Sequence, residues 1–250
     1  MGQLDSEAVV VAGGAGAIGS AIARGLLAEG AAVALVDVSD RVHQLAAELG
    51  GGQGATGDGQ RGRVVAIQAD VSDTADVERC YAEAAEQLGD IYALLHCVGI
   101  YPRSSALDIS PHDWDAVQSI NVRSFFLCAK VALVNMVSRG RGRVIGLGSG
   151  LGVSGKARSA AYSASKAAVM AFTRSTAMDL GDSDVTINCL CPGITESPMM
   201  RGANSDDEVR AAVARNGRPV TDPSELVGPV LFLLSPAGRS VTGTSLWLHA

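Results

Sequence analysis

The residues best suited to proton transfer are Ser149, Tyr162 and Lys166. Tyr162 and Lys166 are four positions apart in a helical pattern of small and apolar residues, so both lie on one face of the predicted helix. An ammonium group beside a phenol is expected to lower the phenol pKa from its usual value of about 10 towards the range useful for acid–base catalysis. Ser149 follows the apolar run 144–147 in a Gly-Ser-Gly turn, at the strand end where open α/β sheets bind ligands. Each residue alone has an ordinary structural explanation, and their joint spacing favours a catalytic site.

A glycine-rich turn at residues 13–19 predicts a phosphate-binding loop. It joins an apolar strand to an apolar helix, and the free N–H groups at the start of such a helix favour an anion. Asp37 closes the next strand, where a dinucleotide site places the acid that binds the adenosine ribose, and a carboxylate there favours NAD. An ordinary flexible turn and a helix-capping Asp37 are the alternatives.

The elements that position these residues follow from alternation along the chain. Short β-branched runs are separated by longer helical patterns, which predicts parallel βαβ units. We expect strands at residues 8–12, 32–36, 63–69, 92–97, 143–147, 185–191 and 245–248. The expected fold is a single α/β domain spanning residues 1–250, a Rossmann-like doubly wound parallel sheet of about seven strands with helices on both faces.

Three other segments carry specific expectations. Ser110 with Pro111 and Asp113 predicts the start of a long helix that runs towards Ser138. The glycine-rich segment 50–62 predicts a mobile surface loop. Residues 195–217 are expected to form a mobile substrate lid, with one short helix over residues 205–215.

Composition excludes several classes of function. The net charge of −6 provides no basic field for nucleic acid, and no apolar run approaches the length of about 18 residues that spans a membrane. The five cysteines are scattered through apolar segments without zinc-site spacing, so we expect reduced thiols and no metal. A soluble, cytoplasmic protein is predicted.

The chain resembles the short-chain dehydrogenase/reductase family over residues 9–248. The family's Tyr-x-x-x-Lys pair matches Tyr162 and Lys166, its catalytic serine matches Ser149, and its catalytic asparagine matches Asn121. The resemblance implies that Tyr162 exchanges the substrate proton, Ser149 polarises the carbonyl, Lys166 binds the nicotinamide ribose and Asn121 supports a water relay. It also implies a homotetramer or a homodimer.

The resemblance extends to cofactor contacts. The pair Asp70-Val71 resembles the adenine-contacting pair, and residues 192–197 resemble the nicotinamide-contacting loop. The full set of expected cofactor-binding residues is Gly13, Ala17, Ile18, Gly19, Asp37, Asp70, Val71, Gly99, Tyr162, Lys166, Pro192, Gly193, Ile194 and Ser197.

The chain departs from the family pattern at several positions. Ala17 replaces a motif glycine, and the sequence His96-Cys97-Val98-Gly99 stands where the family usually has Asn-Asn-Ala-Gly. We interpret His96 as a structural substitution, because Tyr162 already has the proton-transfer role. The C-terminus lacks the family's usual acidic, glycine-rich ending.

The expected reaction is reversible hydride transfer between NAD and a small secondary alcohol or ketone. Two alternatives remain open. One is an NADP-dependent ketoreductase acting on polyketide or carrier-bound substrates, and the other is a catalytically silent dinucleotide-binding sensor.

Overall fold

The computed structural model describes residues 2–50 and 62–248. Its centre is a seven-stranded parallel sheet of order β3-β2-β1-β4-β5-β6-β7. The strands are β1 (Ala8–Ala12), β2 (Ala32–Asp37), β3 (Val64–Gln68), β4 (Ile91–His96), β5 (Arg141–Leu147), β6 (Asp184–Pro192) and β7 (Ser245–Leu248). The predicted Rossmann-like α/β fold is therefore confirmed, with strand ends that differ from the sequence-based ones by a few residues.

The helices follow the strands in alternation. They are α1 (Ala17–Ala28), α2 (Arg41–Gly50), α3 (Thr74–Leu88), α4 (Pro111–Gln118), α5 (Ser124–Arg139), α6 (Leu151–Ser154), α7 (Ala160–Leu180), α8 (Pro198–Ala203), α9 (Asp206–Asn216) and α10 (Val227–Leu234). Short 3-10 turns occupy Pro223–Leu226 and Pro236–Gly238.

Alternate side chains of β1 contribute to two hydrophobic cores, one on each face of the sheet. Val10 belongs to a cluster with Val77 of α3 and Ala129 of α5. Val11 belongs to a second cluster with Ile22 of α1. Because both faces of β1 are covered, all five of its residues are buried, which explains the uninterrupted apolar run in the sequence.

The strand order reverses between β1 and β4. Ala12 at the end of β1 pairs with His96 at the end of β4, and the chains then diverge into separate crossovers. Such a switch point opens a crevice at the carboxyl ends of the strands, where ligands bind in open α/β sheets.

The predicted long helix is interrupted. It begins at Pro111, where the Ser110 hydroxyl accepts the Asp113 N–H at 3.0 Å. A π-helical turn at Ser119–Arg123 then separates α4 from α5. Hydrophobic periodicity did not indicate this turn.

The same helical stretch corrects an expectation about apolar length. Among the described residues, Pro111–Arg139 contains an 18-residue window of mean hydropathy 1.5, long and apolar enough by composition to cross a membrane. Half of that window is buried inside the protein. Buried core helices commonly have this composition.

The two predicted loop segments have different outcomes. The expected mobile loop 50–62 lies outside the described residues except for its ends, Gly50 in α2 and Gly62. Residues 195–217 contain α8 as well as α9, so the single predicted helix is one of two. Ser205 caps α9 in a reciprocal capping box with Glu208.

Candidate active site

The glycine turn after β1 leaves no room for a side chain at Gly13 or at Gly19. Gly13 has φ +78°, and a Cβ there would lie 2.9 Å from backbone atoms of Cys97 and Val98. A Cβ on Gly19 would lie 2.2 Å from the Gly13 carbonyl oxygen. Ala17 and Ile18 open α1, whose N-terminus has no side-chain cap at Gly16. The leading N–H groups of α1 are therefore available, and the turn fits a pyrophosphate.

Asp37 lies beside this turn at the end of β2. Its two carboxylate oxygens accept the backbone N–H groups of Ala15 and Ser39, each at 3.0 Å. These bonds fix the carboxylate at the crevice, next to the glycine turn. Val38 is 66% exposed and Arg41 is exposed at the start of α2, so Asp37 is the side chain held against the turn.

Asp70 and Val71 follow β3 at the same edge of the sheet. One Asp70 carboxylate oxygen accepts the Ser72 N–H at 2.9 Å and the Ser72 hydroxyl at 2.7 Å. Val71 is buried in the core. The structure thus places both residues at the carboxyl end of β3, with the Asp70 carboxylate engaged by Ser72.

Asn121 lies inside the π-helical turn and is 1% exposed. Its Oδ1 accepts the Ile100 N–H at 2.7 Å, and its Nδ2 donates to the Ile100 carbonyl and to Ser165 Oγ, each at 3.0 Å. A Cβ on Gly99 would lie 3.4 Å from Asn121 Oδ1 and from Lys166 Nζ. The asparagine therefore joins the segment after β4 to α7, and π-helical turns are frequent at functional sites.

Lys166 is buried beneath the end of β5. Its Nζ donates to the Leu147 carbonyl at 2.9 Å and lies 5.6 Å from the centre of the Tyr162 ring. Burial lowers the pKa of Lys166 because the charged form loses hydration.

The Tyr162 phenol corrects a sequence-based expectation. Burial raises the pKa of Tyr162 to about 12, a shift that the hydrogen bond with Ser149 opposes and the neighbouring Tyr101 increases. The expected lowering of this pKa by Lys166 is wrong, because the ammonium is hydrogen-bonded to the Leu147 carbonyl and desolvation of the phenolate dominates.

Ser149 lies between β5 and α6. Its Oγ accepts the Leu151 N–H at 3.2 Å and is hydrogen-bonded to the Tyr162 phenol. Asn121, Ser149, Tyr162 and Lys166, which come from three separate parts of the chain, are thus brought to one edge of the sheet.

Backbone hydrogen bonds hold the first part of the expected nicotinamide loop. The Gly193 N–H donates to the Leu248 carbonyl at 2.7 Å, and the Ile194 carbonyl accepts the Thr221 N–H at 2.8 Å. Ser197 is the N-cap of α8, and its Oγ accepts the Met200 N–H at 3.1 Å. This capping bond is a structural role that the resemblance did not indicate.

A cavity of about 670 Å³ connects these groups. Ser149 and Tyr162 line it together with Ile18 and the nicotinamide loop, and residues of α8 and α9 cover it. The lining residues from the predicted cofactor set are Ile18, Tyr162, Pro192, Gly193, Ile194 and Ser197. A glycine cradle that opens into a cavity of this size fits a dinucleotide with a small substrate.

His96 is buried and bonded to the π-helical turn. Its Nε2 lies 2.9 Å from Ser124 Oγ, and that hydroxyl donates its one hydrogen to the Ile120 carbonyl at 2.5 Å. The Nε2 of His96 therefore carries the proton that reaches Ser124. Burial, with a smaller effect from Lys166, lowers the pKa of His96 to about 3, so the ring is neutral. This environment supports the structural interpretation.

The cysteines form no metal cluster within the described residues. Groups of three or more potential ligands are absent from residues 2–50 and 62–248. Cys189 and Cys191 lie with their Sγ atoms 4.0 Å apart in the buried strand β6, where they pack against Gly148.

Sequence reasoning missed two groups at the cavity. Tyr101 stacks on Tyr162, and Arg103 forms an ion pair with Glu208 of α9 at 2.8 Å. The sequence signal was weak in both cases, because each pairing joins positions far apart along the chain. An aromatic residue shortly after Gly99 was the one available hint.

Comparisons with known proteins agree with this arrangement. A family model described as Enoyl-(Acyl carrier protein) reductase matches residues 13–249. The chain is 33% identical to 2-(S)-hydroxypropyl-CoM dehydrogenase 3 of Xanthobacter autotrophicus, over 97% of this chain and 95% of that protein. It is 35% identical to the short-chain dehydrogenase/reductase eriH of Hericium erinaceus, over 96% of this chain and 94% of that protein.

A solved structure gives the same result. The crystal structure of a dehydrogenase/reductase from Sinorhizobium meliloti 1021 matches with a TM-score of 0.86 and 34% identity, over 98% of this chain and 94% of that chain. The family binds NAD or NADP. The chain belongs to the short-chain dehydrogenase/reductase family of oxidoreductases.

Proposed function

We propose that the chain is an NAD-preferring dehydrogenase that interconverts a small secondary alcohol and its ketone. The observation that carries the proposal is the position of Ser149 and Tyr162 in one cavity with the expected nicotinamide loop. Lys166 and Asn121 are buried nearby, where Lys166 donates to the Leu147 carbonyl and Asn121 donates to Ser165. When bound, the dinucleotide supplies or accepts the hydride.

Tyr162, Ser149 and Lys166 have separate roles in the proposed reaction. Tyr162 gives a proton to the ketone oxygen or takes one from the alcohol, and Ser149, hydrogen-bonded to the phenol, holds the same oxygen. With a pKa raised to about 12, Tyr162 is protonated near neutral pH, as proton donation requires. The Lys166 ammonium, a donor of up to three hydrogen bonds, holds the ribose hydroxyls.

Asn121 positions the site without touching the substrate oxygen. Its side chain fixes Ile100 and Ser165, and through Ser165 it reaches the helix that carries Tyr162 and Lys166. The water relay implied by the family resemblance is part of this proposal.

The cofactor contacts extend from the glycine turn to the nicotinamide loop. Gly13, Ala17, Ile18 and Gly19 receive the pyrophosphate at the start of α1. Asp70 and Val71 border the adenine, and Gly99 borders the ribose near Lys166. The loop that contains Pro192, Gly193, Ile194 and Ser197 faces the nicotinamide. The clearance of the glycine turn and the lining of the cavity support these assignments.

The preference for NAD rests on Asp37. Its carboxylate accepts the ribose hydroxyls readily, whereas a 2′-phosphate would bring like charge towards it. The backbone bonds from Ala15 and Ser39 hold the carboxylate at the glycine turn and so support this preference.

The secondary alcohol class rests on chemistry and on one relative. A tyrosine proton donor with a serine partner acts on a carbonyl oxygen. The relative from Xanthobacter autotrophicus is named for a 2-hydroxypropyl substrate, which is a secondary alcohol.

Turnover of a panel of secondary alcohols and ketones with NAD and with NADP tests the function. We expect turnover with higher kcat/KM for the NAD couple. Preference for NADP would favour the biosynthetic ketoreductase, and cofactor binding without any turnover would favour the silent sensor.

Four further points belong to the proposal. The chain forms one catalytic domain, it assembles as a homotetramer or homodimer, it is cytoplasmic, and residues 195–217 close over the ligands. The helices α8 and α9, which cover the cavity, support the lid. Hydrogen exchange in these two helices should slow when NAD and substrate are added, and equal exchange rates would contradict closure.

A further inference from the structure

The cavity that contains Ser149 and Tyr162 also has a charged portion. Of the described residues that line it, Lys156, Glu208 and Arg215 carry charge. Lys156 follows α6, and Arg215 lies in the last turn of α9. The cavity therefore places cationic side chains in the same space as the reacting hydroxyls, in a chain whose net charge is −6.

The single carboxylate of this group is already neutralised. Arg103 Nη1 lies 2.8 Å from both Glu208 carboxylate oxygens, and one of these oxygens also accepts the Ser205 N–H at 2.9 Å. These hydrogen bonds lower the pKa of Glu208 to about 2, and the bond from the Ser205 N–H has the largest effect. Glu208 is therefore matched by Arg103, so the charged lining residues that the structure describes carry an excess of positive charge.

Lys156 and Arg215 have no anionic partner within the described part of the chain. Lys156 Nζ donates to the neutral Asn204 Oδ1 at 2.7 Å, which anchors it beside α8. Across residues 2–50 and 62–248, no carboxylate lies within 4.0 Å of either cationic group. Burial lowers the pKa of Lys156. The charges of Arg103 and Arg215 lower this pKa further, while Glu208 raises it. The Lys156 ammonium therefore lies in a positive field.

We propose that the substrate carries a carboxylate, which Lys156 and Arg215 bind while the alcohol or ketone oxygen meets Ser149 and Tyr162. The substrate class is thus a hydroxy acid and the corresponding keto acid. This inference rests on the proposed function. The carboxylate undergoes no bond change, because only the secondary alcohol is oxidised, by the hydride and proton transfers already described.

A carboxylate that bridges Lys156 and Arg215 pairs with both positive charges. A guanidinium binds a carboxylate through two parallel N–H donors, and an ammonium adds a point charge. Both cationic side chains are exposed to solvent, so the attraction depends on a carboxylate that meets two positive charges at once, and it exceeds that of a single exposed ion pair. Binding at this end also fixes the distance and orientation of the reacting carbon, which raises kcat/KM for substrates of the right length.

Matched acids and amides test the proposal directly. The probes are cis-4-hydroxycyclohexanecarboxylate and 3-hydroxybutyrate, each compared with its own carboxamide. We expect kcat/KM at least roughly tenfold higher for one or both acids than for the matched amide, since a hydrogen bond to a charged group is worth a factor of about 10–100. The preference should weaken as salt is added.

The variants Lys156→Met and Arg215→Gln locate the effect. Each should reduce the acid-to-amide ratio of kcat/KM by roughly tenfold. Arg210→Gln is the matched control on α9, because Arg210 pairs with Asp207 and does not line the cavity. Lys130→Met is the control on α5. Both controls should keep the wild-type ratio.

A binding measurement separates this inference from the proposed function. Titration calorimetry with cyclohexanecarboxylate and cyclohexanecarboxamide, in the presence of NAD, should show tighter binding of the carboxylate and loss of that difference in the Lys156→Met, Arg215→Gln double variant. Turnover of acids and amides with equal efficiency would overturn the anion site and leave the dehydrogenase intact. Failure to oxidise or reduce any alcohol or ketone would contradict the dehydrogenase, and calorimetry would then decide the anion site alone, with equal affinities overturning it.

Discussion

The Tyr101 ring lies against the Tyr162 ring, with ring centres 4.3 Å apart and planes inclined by 34°. The Tyr101 hydroxyl is held in turn by Ser159 Oγ at 2.6 Å, immediately before α7 begins. Tyr101 therefore connects the segment after β4 to the start of the helix that carries Tyr162. We infer that it is a positioning residue, which holds the phenol and keeps water from one side of it.

Replacing Tyr101 with Leu should lower kcat by roughly 2- to 12-fold, the factor equivalent to an aromatic pair worth about 0.5–1.5 kcal/mol. Water admitted to the phenol would also lower the Tyr162 pKa, so the pH profile of alcohol oxidation should shift to lower pH. Tyr101→Phe keeps the stacked ring and should recover most of the loss. An unchanged pH profile in the Leu variant, or a Phe variant as impaired as Leu, would argue against positioning.

Asp37→Ser should change cofactor choice. Removing the carboxylate removes the ribose contacts and the repulsion of a 2′-phosphate, so NAD should bind roughly tenfold more weakly and NADP roughly tenfold more tightly. Titration of both cofactors at matched ionic strength measures the two effects. Asp40→Ser, which removes an exposed acid of the same segment, is the control. A wild-type protein that binds NADP as tightly as NAD would disprove the assignment.

The neutral His96 ring should make the fold sensitive to acid. Its pKa is about 3 in the folded state and about 6.5 when unfolded, so the unfolded chain binds the extra proton first as pH falls. The contribution of His96 to the free energy of unfolding is fully present above about pH 6.5. It is lost progressively towards pH 3, by at most about 1.4 kcal/mol per pH unit.

Denaturant unfolding at about pH 7.5 and about pH 5.5 measures this dependence. His96→Asn should reduce the difference in unfolding free energy between the two conditions. His112→Asn is the control, since the His112 side chain is 91% exposed. An identical pH dependence in the His96 variant would show that other groups cause the acid sensitivity.

The fold was predictable because the same local pattern, an apolar strand followed by a helical segment, recurs along the chain. Buried parallel strands such as β1 must be apolar on both faces, and the intervening helices show a different period, so alternation alone gives the layers. The π-helical turn around Asn121 was not predictable, because one extra residue in a helical turn changes neither composition nor helical propensity visibly. Its consequence, the inward placement of Asn121, is known from the structure alone.

The catalytic residues were identified from spacing, but their environment was not. The direction of the Tyr162 pKa shift depends on burial and on where Lys166 Nζ finds its acceptor, and neither can be derived from a four-residue spacing. The Arg103–Glu208 ion pair joins residues 105 positions apart, so the balance of charge in the cavity also required the folded chain.

The most direct test of the proposed mechanism compares turnover and cofactor affinity of the Tyr162→Phe variant with those of the wild-type protein. The substitution keeps the ring against Tyr101 and removes the hydroxyl that exchanges a proton with the substrate. Tyr81→Phe, which removes a buried hydroxyl from the distant helix α3, is the matched control. With the best alcohol or ketone of the panel, we expect the Tyr162 variant to lose about 10²–10⁴-fold in kcat while NAD binds with nearly unchanged affinity, and the control to retain its activity. Turnover near the wild-type rate in Tyr162→Phe would contradict the proposed mechanism.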